Sequence, residues 1–449
     1  MNSKEIDMLH GPLFMKILVF ALPLAASSIL QQLFNSVDVA VVGHFASSEA
    51  LAAVGSNAPV ISLLVNLFLG LSMGANVVIA NHIGQNDQLG IRKAINTVSM
   101  IALISGFALL VIGVSVARPI LTMMGTPPEV LDMAVTYLRI YFMGMPFIMI
   151  YDFGASILRS RGDTRRPLYI LIIAGVINTI FNLVFVIGFH MSVEGVAIST
   201  GIANAVSALL IVLMLRKEPE PYRLHIRDMK ISKRELKPMI QIGVPAGLQG
   251  VIFSISNVAV QSAINGYGAH AVAGSAAALN FEFYTYYIIE AFNGAAISFI
   301  GQNYGAGNKD RVRKIFRICM SMSMISCIVC SLMFCGFDDF FLDFFSMDPD
   351  VHFFGRIRLN TVQAFQIISC TYEVAGSSLR GMGYSLLPTL IMVFGTCIFR
   401  LIWVYGLCPH FTGFHFLMSV YPVSWIITGT FVLLAWFIIF RRWKPSGLF

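Results

Sequence analysis

The sequence predicts an all-α integral membrane protein: twelve transmembrane helices in two six-helix lobes related by a parallel internal repeat. Three observations predict it. Hydrophobic residues make up 57% of the 449 and charged residues only 12%, against ~25% charged in soluble chains. Charge-free stretches long enough to cross ~30 Å of hydrocarbon recur along the chain. One half also repeats the other: LRSRGDTRRP from Leu158 to Pro167 returns as LRGMGYSLLP from Leu379 to Pro388.

Leu158, Arg159, Gly162 and Pro167 match Leu379, Arg380, Gly383 and Pro388 at one offset, 379 minus 158, or 221. Gly84-Gln85-Asn86 against Gly301-Gln302-Asn303 gives 217, and Pro23 with Asn35 against Pro245 with Asn257 gives 222. An even number of helices per half makes both halves enter the membrane the same way, so their axis runs along the membrane normal. Transporters built on such repeats hold their site near mid-membrane between the halves.

The first charge-free stretch, 17–37, is followed by others at 50–86, 94–117, 168–193 and 195–215. The stretches 238–281 and 401–440 are long enough for a pair each, broken at Asn265-Gly266-Tyr267-Gly268 and near Pro409. Interrupted apolar segments lie near 133–158, 282–301, 318–337, 357–379 and 385–400, and with neighbouring segments joined the expectation is twelve helices, six per half. The predicted division is a first lobe over 1–215, a linker over 216–237 that is basic and carries Pro219 and Pro221, and a second lobe over 238–449.

The net charge of +7 suggests nucleic acid until its distribution is read. Of the 30 Lys and Arg, 25 fall at the termini, in the alternate loops near 92, 159–166 and 309–317, in the linker and at Arg380. Those include Lys4 and Lys16 at the N-terminus and Arg441, Arg442 and Lys444 at the C-terminus. The loop near 338–350 carries five Asp instead. By the positive-inside rule both termini are cytoplasmic in a multi-pass inner-membrane protein. The basic charge then meets anionic lipid rather than nucleic acid. No cleavable signal peptide is expected, since the apolar run runs on to Asp38 without a small-residue cleavage site. The seven Cys scatter through apolar segments and form no disulfide framework. Cys327 and Cys330, spaced C-x-x-C, lie inside one span and read as packing residues.

A charge at mid-bilayer costs ~2.5 to 3.5 kcal/mol even on the lenient scale, which makes ionisable residues in spans the candidate site. Asp38 has Asn35 one turn earlier on its face, and its repeat counterpart is Val260. It reads either as a solvated acid near His44 or as a cavity-facing acid, and the second reading is taken. Asp152 and Glu373 are mates, 152 plus 221 being 373, each seven residues before its Arg. Asp152 therefore reads as structural, with Arg139 or Arg400 as partner. Glu282 and Glu290 face apolar residues in the repeat and sit among aromatics including Tyr286, a setting that suits an organic cation. Asn178 and Asn182 lie one turn apart, with Thr200 on the next span. IFNLVFVIG (180–188) aligns with IFRLIWVYG (398–406), so Arg400 stands where the first half has Asn182. The spans hold few cations, chiefly Arg139 and Arg400, and Glu373 is the predicted partner of Arg400.

Enzyme motifs are missing: no H-E-x-x-H, no Walker A loop, no G-x-S-x-G. The chain reads as no enzyme and needs no cofactor. The nine His are dispersed, and no metal site is expected beyond Na⁺ at Asp38. Without a nucleotide site, an ion gradient is the energy source.

Together FNSVDVAVVGHF (34–45), the GQN segments, IGQNYGAGNKDRVRK (300–314) and the LRxxG segments resemble the multidrug and toxic compound extrusion (MATE) transporters over essentially the whole chain. The resemblance implies two six-helix lobes around a central cavity and export of mostly cationic amphiphiles coupled to entry of protons or sodium ions. It implies that Asp38 is the first-helix acid of a first-lobe ion site, near the bend at Pro23. Asn178 and Thr200 match the neighbouring positions of that site. Where well-known members carry a second Asp, this chain has Asn182, and where another branch has a helix-seven acid it offers Gln249.

The expected function is thus an H⁺- or Na⁺-coupled antiporter exporting amphipathic organic cations, with a flippase of lipid-linked saccharides as the alternative. The expected coupling residues are Asp38, Asn35, Asn178, Asn182 and Thr200. Glu282, Glu290, Glu373, Tyr286 and Gln249 are expected to bind substrate. Pro23, Asp152, Arg159, Arg380 and Arg400 are expected to be structural. The expected partners are small organic cations and membrane lipids, and the expected assembly is a monomer.

Overall fold

In the computed structural model the described residues are 5–411 and 413–444. Lys4 and the outermost ends of the two predicted lobes lie outside them. All regular structure among the described residues is helical.

The first half runs α1 (Leu13–Phe45), α2 (Ser48–Gly84), α3 (Gln88–Met123), α4 (Pro128–Met143), α5 (Met145–Ser160), α6 (Arg165–Leu183, continued by a π turn over Val184–Gly188) and α7 (Val193–Arg216). The second runs α8 (Lys233–Asn265), α9 (Ala269–Gly305), α10 (Lys309–Gly336), α11 (Asp338–Asp343), α12 (Pro349–Arg358) and α13 (Ser369–Gly381). It ends with α14 (Leu386–Met392), α15 (Phe399–Ile402), α16 (Phe414–Met418) and α17 (Val420–Arg442). The predicted breaks are where the turn residues put them: α8 stops at Asn265, and Gly268 takes φ +92° before α9. The segments 282–301 and 385–400 are not separate helices. The first is the body of α9 and the second continues through π turns to Leu407.

Among the described residues nine helices are long and apolar enough to cross a membrane, and ten spans result if α4 and α5, bent by 46°, count as one. The remaining two of the predicted twelve are α9 and the interrupted stretch from α12 to α13. α9 is less apolar than the others, with Glu282 and Glu290 among tyrosines and asparagines, and α12 and α13 are short helices on either side of a break, carrying Arg358, Glu373 and Arg380. The α4–α5 bend centres on Gly144 and Pro146, whose ring supplies no N–H to the preceding turn. Its mate, 144 plus 221, is Phe365, and there the second half is broken too, between a π turn over Leu359–Gln363 and a 3₁₀ turn over Gln366–Ile368.

The structure corrects the register of one repeat. α2 ends at Gly84 and α9 at Gly305, and α3 begins at Gln88 and α10 at Lys309, both 221 apart. The GQN match at 217 is therefore one helical turn out of step. The mate of Asn86, at φ +56°, is Gly307, at φ +71°. The Leu-Arg-x-x-Gly repeat has a conformational cause. Gly162 and Gly383 close their helices at φ +95° and +89°. In each, the residue after the glycine bonds back to the leucine carbonyl, Asp163 to Leu158 at 3.0 Å and Tyr384 to Leu379 at 2.9 Å.

The chain forms two compact units that differ from its two halves. Unit one takes the N-terminal residues to Asp7 and Ala26–Gly247, and unit two takes Met8–Ala25 and Leu248–Phe449. α1 and α8 each change unit two residues after a proline, Pro23 and Pro245. Within unit one, α2 meets the start of α8 backbone to backbone. A Cβ on Gly70 would lie 2.3 Å from the Gly247 nitrogen, and one on Gly243 would lie 2.6 Å from the Leu71 Cα. His82 fastens the same junction, its Nε2 2.6 Å from Glu235 Oε2 and its Nδ1 3.3 Å from Asp87 Oδ2. Asp87 also caps α3 by accepting from the Gly90 N–H at 2.9 Å, which holds its carboxyl below the usual range. Within unit two the mate of His82, Asn303, donates to the Met8 carbonyl at 3.0 Å, and Arg311 joins it at 3.1 Å.

The predicted linker is shorter than 216–237, because its last residues already form the charged first turn of α8. Its Glu218 is buried against Arg161 and Arg166, and Arg161 also holds Glu5 and lies 3.8 Å over the Tyr222 ring. In the repeated loop Arg161, rather than Arg159, ties the linker down. The acidic segment near 338–350 is followed by Arg356, a cation the charge count assigned to no loop, bonded to Asp338 at 2.9 Å and to Asp339.

Candidate functional site

In unit one, Asp38 projects from the last third of α1 and is buried, although from Leu33 to Ala40 it is the one buried residue. Asn178 and Asn182 stand one turn apart on α6, just before its π turn. Thr200 comes from α7. Asn182 Nδ2 donates to Asp38 Oδ1, and also lies 3.3 Å from Asn178 Oδ1. Asn178 Nδ2 lies 3.3 Å from Thr200 Oγ1. Thr200 Oγ1 is 3.4 Å from Asp38 Oδ2 but 2.9 Å from the Val196 carbonyl. A hydroxyl has one proton to give. The shorter bond holds it, so Asp38 Oδ2 is the weakly held carboxylate oxygen of the group. Asn182 Oδ1 is enclosed without a hydrogen bond. Four of the five expected coupling residues thus meet. Asn35 does not: it is exposed, because α1 buries too narrow a face here to turn both residues inward.

In unit two the expected substrate acids separate into two kinds. Glu282 is taken by a buried cation: Arg358 Nε lies 2.6 Å from Glu282 Oε1 and Nη2 lies 2.9 Å from Oε2, while Nη1 reaches Ser275 Oγ at 2.7 Å. Its charge is matched, which removes the reason to count it as a binding acid. Arg358 is the site residue that sequence reading missed. It stands at the edge of the predicted 357–379 span, and an acid on a neighbouring span was the available signal. Glu373 is buried and accepts from Asn293 Nδ2 at 3.0 Å. Glu373 lies in the field of Arg380 first and of Glu290 second, and both acids act on Tyr286. Gln249, expected to touch substrate, instead accepts from Arg380 Nη2, with Thr389 Oγ1 at 3.4 Å.

The pairing expected of Arg400 with Glu373 does not occur. Arg400 donates to Asn257 Oδ1 at 3.0 Å and Ser424 Oγ at 3.4 Å, and its guanidinium lies 4.4 Å from the Tyr421 ring centroid. Among the described residues Asp152 is half-buried in α5 and neither Arg139 nor Arg400 bonds to it. Pro23 lies inside α1. The seven cysteines are free. Among the described residues one group could offer ligands to a metal, His270, Asp348 and Asp350, with ligand atoms within 4.8 Å of one another. It is largely exposed and shares no residue with the buried clusters.

The MatE family model matches residues 23–184 and 245–405, one match in each half. Probable multidrug resistance protein YoeA of Bacillus subtilis is 27% identical over 384 residues, which is 84% of this chain and 83% of that protein. The fold superposes on a MATE crystal structure in complex with MaD3S at TM-score 0.91 and 20% identity, over 99% of this chain and 100% of the other. An outward-facing multidrug resistance MATE family transporter of the MOP superfamily gives 0.90 at 21% identity, with coverage of 99% and 100%. With one matched segment in each half, together covering more than half of its residues, the chain belongs to the MatE family of membrane transporters, which are not enzymes.

Proposed function

We propose that the protein is an ion-coupled antiporter that exports amphipathic, mostly cationic organic compounds by alternating access, with both termini cytoplasmic. One observation carries the reading: Asp38 is buried in an apolar span with Asn182, Asn178 and Thr200 around it, and one of its oxygens is only weakly held. That oxygen is the place for a proton, or for Na⁺ with the enclosed Asn182 Oδ1 as a further ligand. With Asn182 in place of a second acid, the group carries a single carboxylate, so each cycle moves one ion charge through it. Substrate is held by Glu290, Glu373 and Tyr286, where a carboxylate beside an aromatic ring favours an organic cation. The names of relatives such as the Bacillus subtilis protein support export of drug-like compounds.

A lipid-linked saccharide is the weaker reading. Its pyrophosphate needs several free cations, and in unit two Arg358 is bonded to Glu282 and Arg380 lies in the field of Glu373, which leaves Arg400 as a single uncompensated guanidinium. The test is efflux of a fluorescent organic cation from proteoliposomes under separately imposed proton and sodium gradients. One of the two gradients should drive efflux. Efflux under neither, together with competition by a lipid pyrophosphate, would reverse the assignment.

A further inference from the structure

Arg400 is 3% exposed, and among the described residues no carboxylate pairs with it. Its bonds go to neutral groups. Nη1 gives to Asn257 on α8, Nε gives to Ser424 on α17, and Tyr421 of α17 faces the guanidinium. These neighbours use the rear of the fork. The bonds found for Arg400 leave its remaining amino group, Nη2, without a hydrogen-bond partner. Asn257 is itself exposed. Two further guanidiniums are buried in unit two: Arg380, which donates to Gln249 and lies in the field of Glu373, and Arg358. Arg358 lies 5.4 Å from the same Tyr421 ring, and its charge is matched by both oxygens of Glu282.

A buried cation left without a counter-charge is costly, and within a membrane span such groups mark binding sites. The position is also one where the two copies disagree, since the first half has Thr179 there at the 221 offset or Asn182 in the local sequence match. α15 lies between two π turns, Val393–Ile398 and Trp403–Leu407. Such departures from α geometry concentrate at functional sites.

We infer that Arg400, with Asn257, Ser424 and Tyr421 orienting it, is a binding site for an anionic group, a carboxylate, sulfonate or phosphate carried by the transported amphiphile. The substrate class is then zwitterionic as well as cationic: the cationic centre goes to Glu290 and Glu373, the anionic end to Arg400. This rests on the transport reading for its ligand, and it is tested by binding alone, without a gradient, so the two can fail separately.

The probes are a long-chain alkyl betaine and its methyl ester, measured by equilibrium binding to the purified full chain in detergent. They share a quaternary ammonium and a tail, and they differ by one negative charge. The wild-type protein should bind the betaine about tenfold tighter than the ester, equivalent to about 1.4 kcal/mol. The betaine-to-ester ratio should fall to about one in Arg400→Gln, whatever the absolute affinities, and stay above one in Arg400→Lys. Exchanging chloride for gluconate separates the two sources of anion. Weaker betaine binding in chloride, lost in Arg400→Gln, identifies a site open to inorganic anions as well. Equal affinities for the two probes in the wild type would overturn the assignment without any variant, as would an unchanged ratio in Arg400→Gln.

Discussion

Glu282 and Arg358 each look like a functional charge until their pairing is seen. Each oxygen of Glu282 takes one guanidinium nitrogen, and both residues are buried. Removing one partner leaves the other uncompensated in low dielectric, which costs about 3–5 kcal/mol, whereas replacing both with apolar groups is close to neutral. We therefore expect Glu282→Leu and Arg358→Leu each to lower the thermal unfolding temperature in detergent strongly. The double variant should return most of the loss, and a double variant less stable than either single one would contradict the pairing. This pair also marks the limit of what was legible. Asn178 and Asn182 sit four apart on one helix, and Asp38 stands alone in a charge-free run, so local spacing pointed to three members of the first-unit group. Glu282 and Arg358 are 76 positions apart, and no helical period connects them. The partner assigned to Arg400 failed for the same reason, because Asn257 and Ser424 come from distant helices and carry no charge to draw notice.

Proline and glycine decide what the helices do. Pro23 and Pro245 remove the hydrogen bonds that would reach back to Val19 and Gln241, and α1 and α8 change unit just beyond them. A helix weakened at one point flexes there. Pro23→Ala and Pro245→Ala should each slow efflux while leaving equilibrium substrate binding unchanged; turnover equal to wild type in both would show that neither proline is a hinge. The glycines act oppositely, as a place of fixed contact. Gly70 and Gly74 on α2 meet Gly243 and Gly247 on α8 so closely that any Cβ would strike backbone, one on Gly247 lying 2.4 Å from the Leu67 carbonyl oxygen. Small residues that let helix backbones touch are the membrane substitute for hydrophobic association. Gly243→Leu should destabilise by at least the 1–3 kcal/mol typical of overpacking, read as a fall in unfolding temperature. Gly188→Ala, where a Cβ would meet nothing within 4 Å, should change little. Equal effects at the two positions would dismiss the close approach. The helix ends were legible because Gly268, Gly162 and Gly383 announce positive φ. The π turns and the α4–α5 bend follow tertiary contacts and left only Pro146 as a trace.

At the scale of the molecule, duplication supplies a scaffold and divergence supplies chemistry. The repeat was readable at 221, and the structure extends that offset to helix ends, caps and broken spans. The side chains at the mated positions then differ. His82 bonds Glu235 where Asn303 bonds the Met8 backbone, Asp38 stands where the second half has Val260, and Arg400 stands where the first half has Thr179 at the 221 offset or Asn182 in the local sequence match. The group proposed to couple ions lies wholly in unit one, while the acids and cation proposed to hold substrate lie wholly in unit two. Coupling and binding should therefore be separable by mutation. The most direct measurement compares Asp38→Asn with wild type in two assays on one preparation: binding of a fluorescent organic cation in detergent, and its gradient-driven efflux from proteoliposomes. The separation predicts that binding in the variant stays within about twofold of wild type while driven efflux falls to the rate of empty liposomes. Efflux in Asp38→Asn that still follows the imposed gradient at the wild-type rate would contradict it.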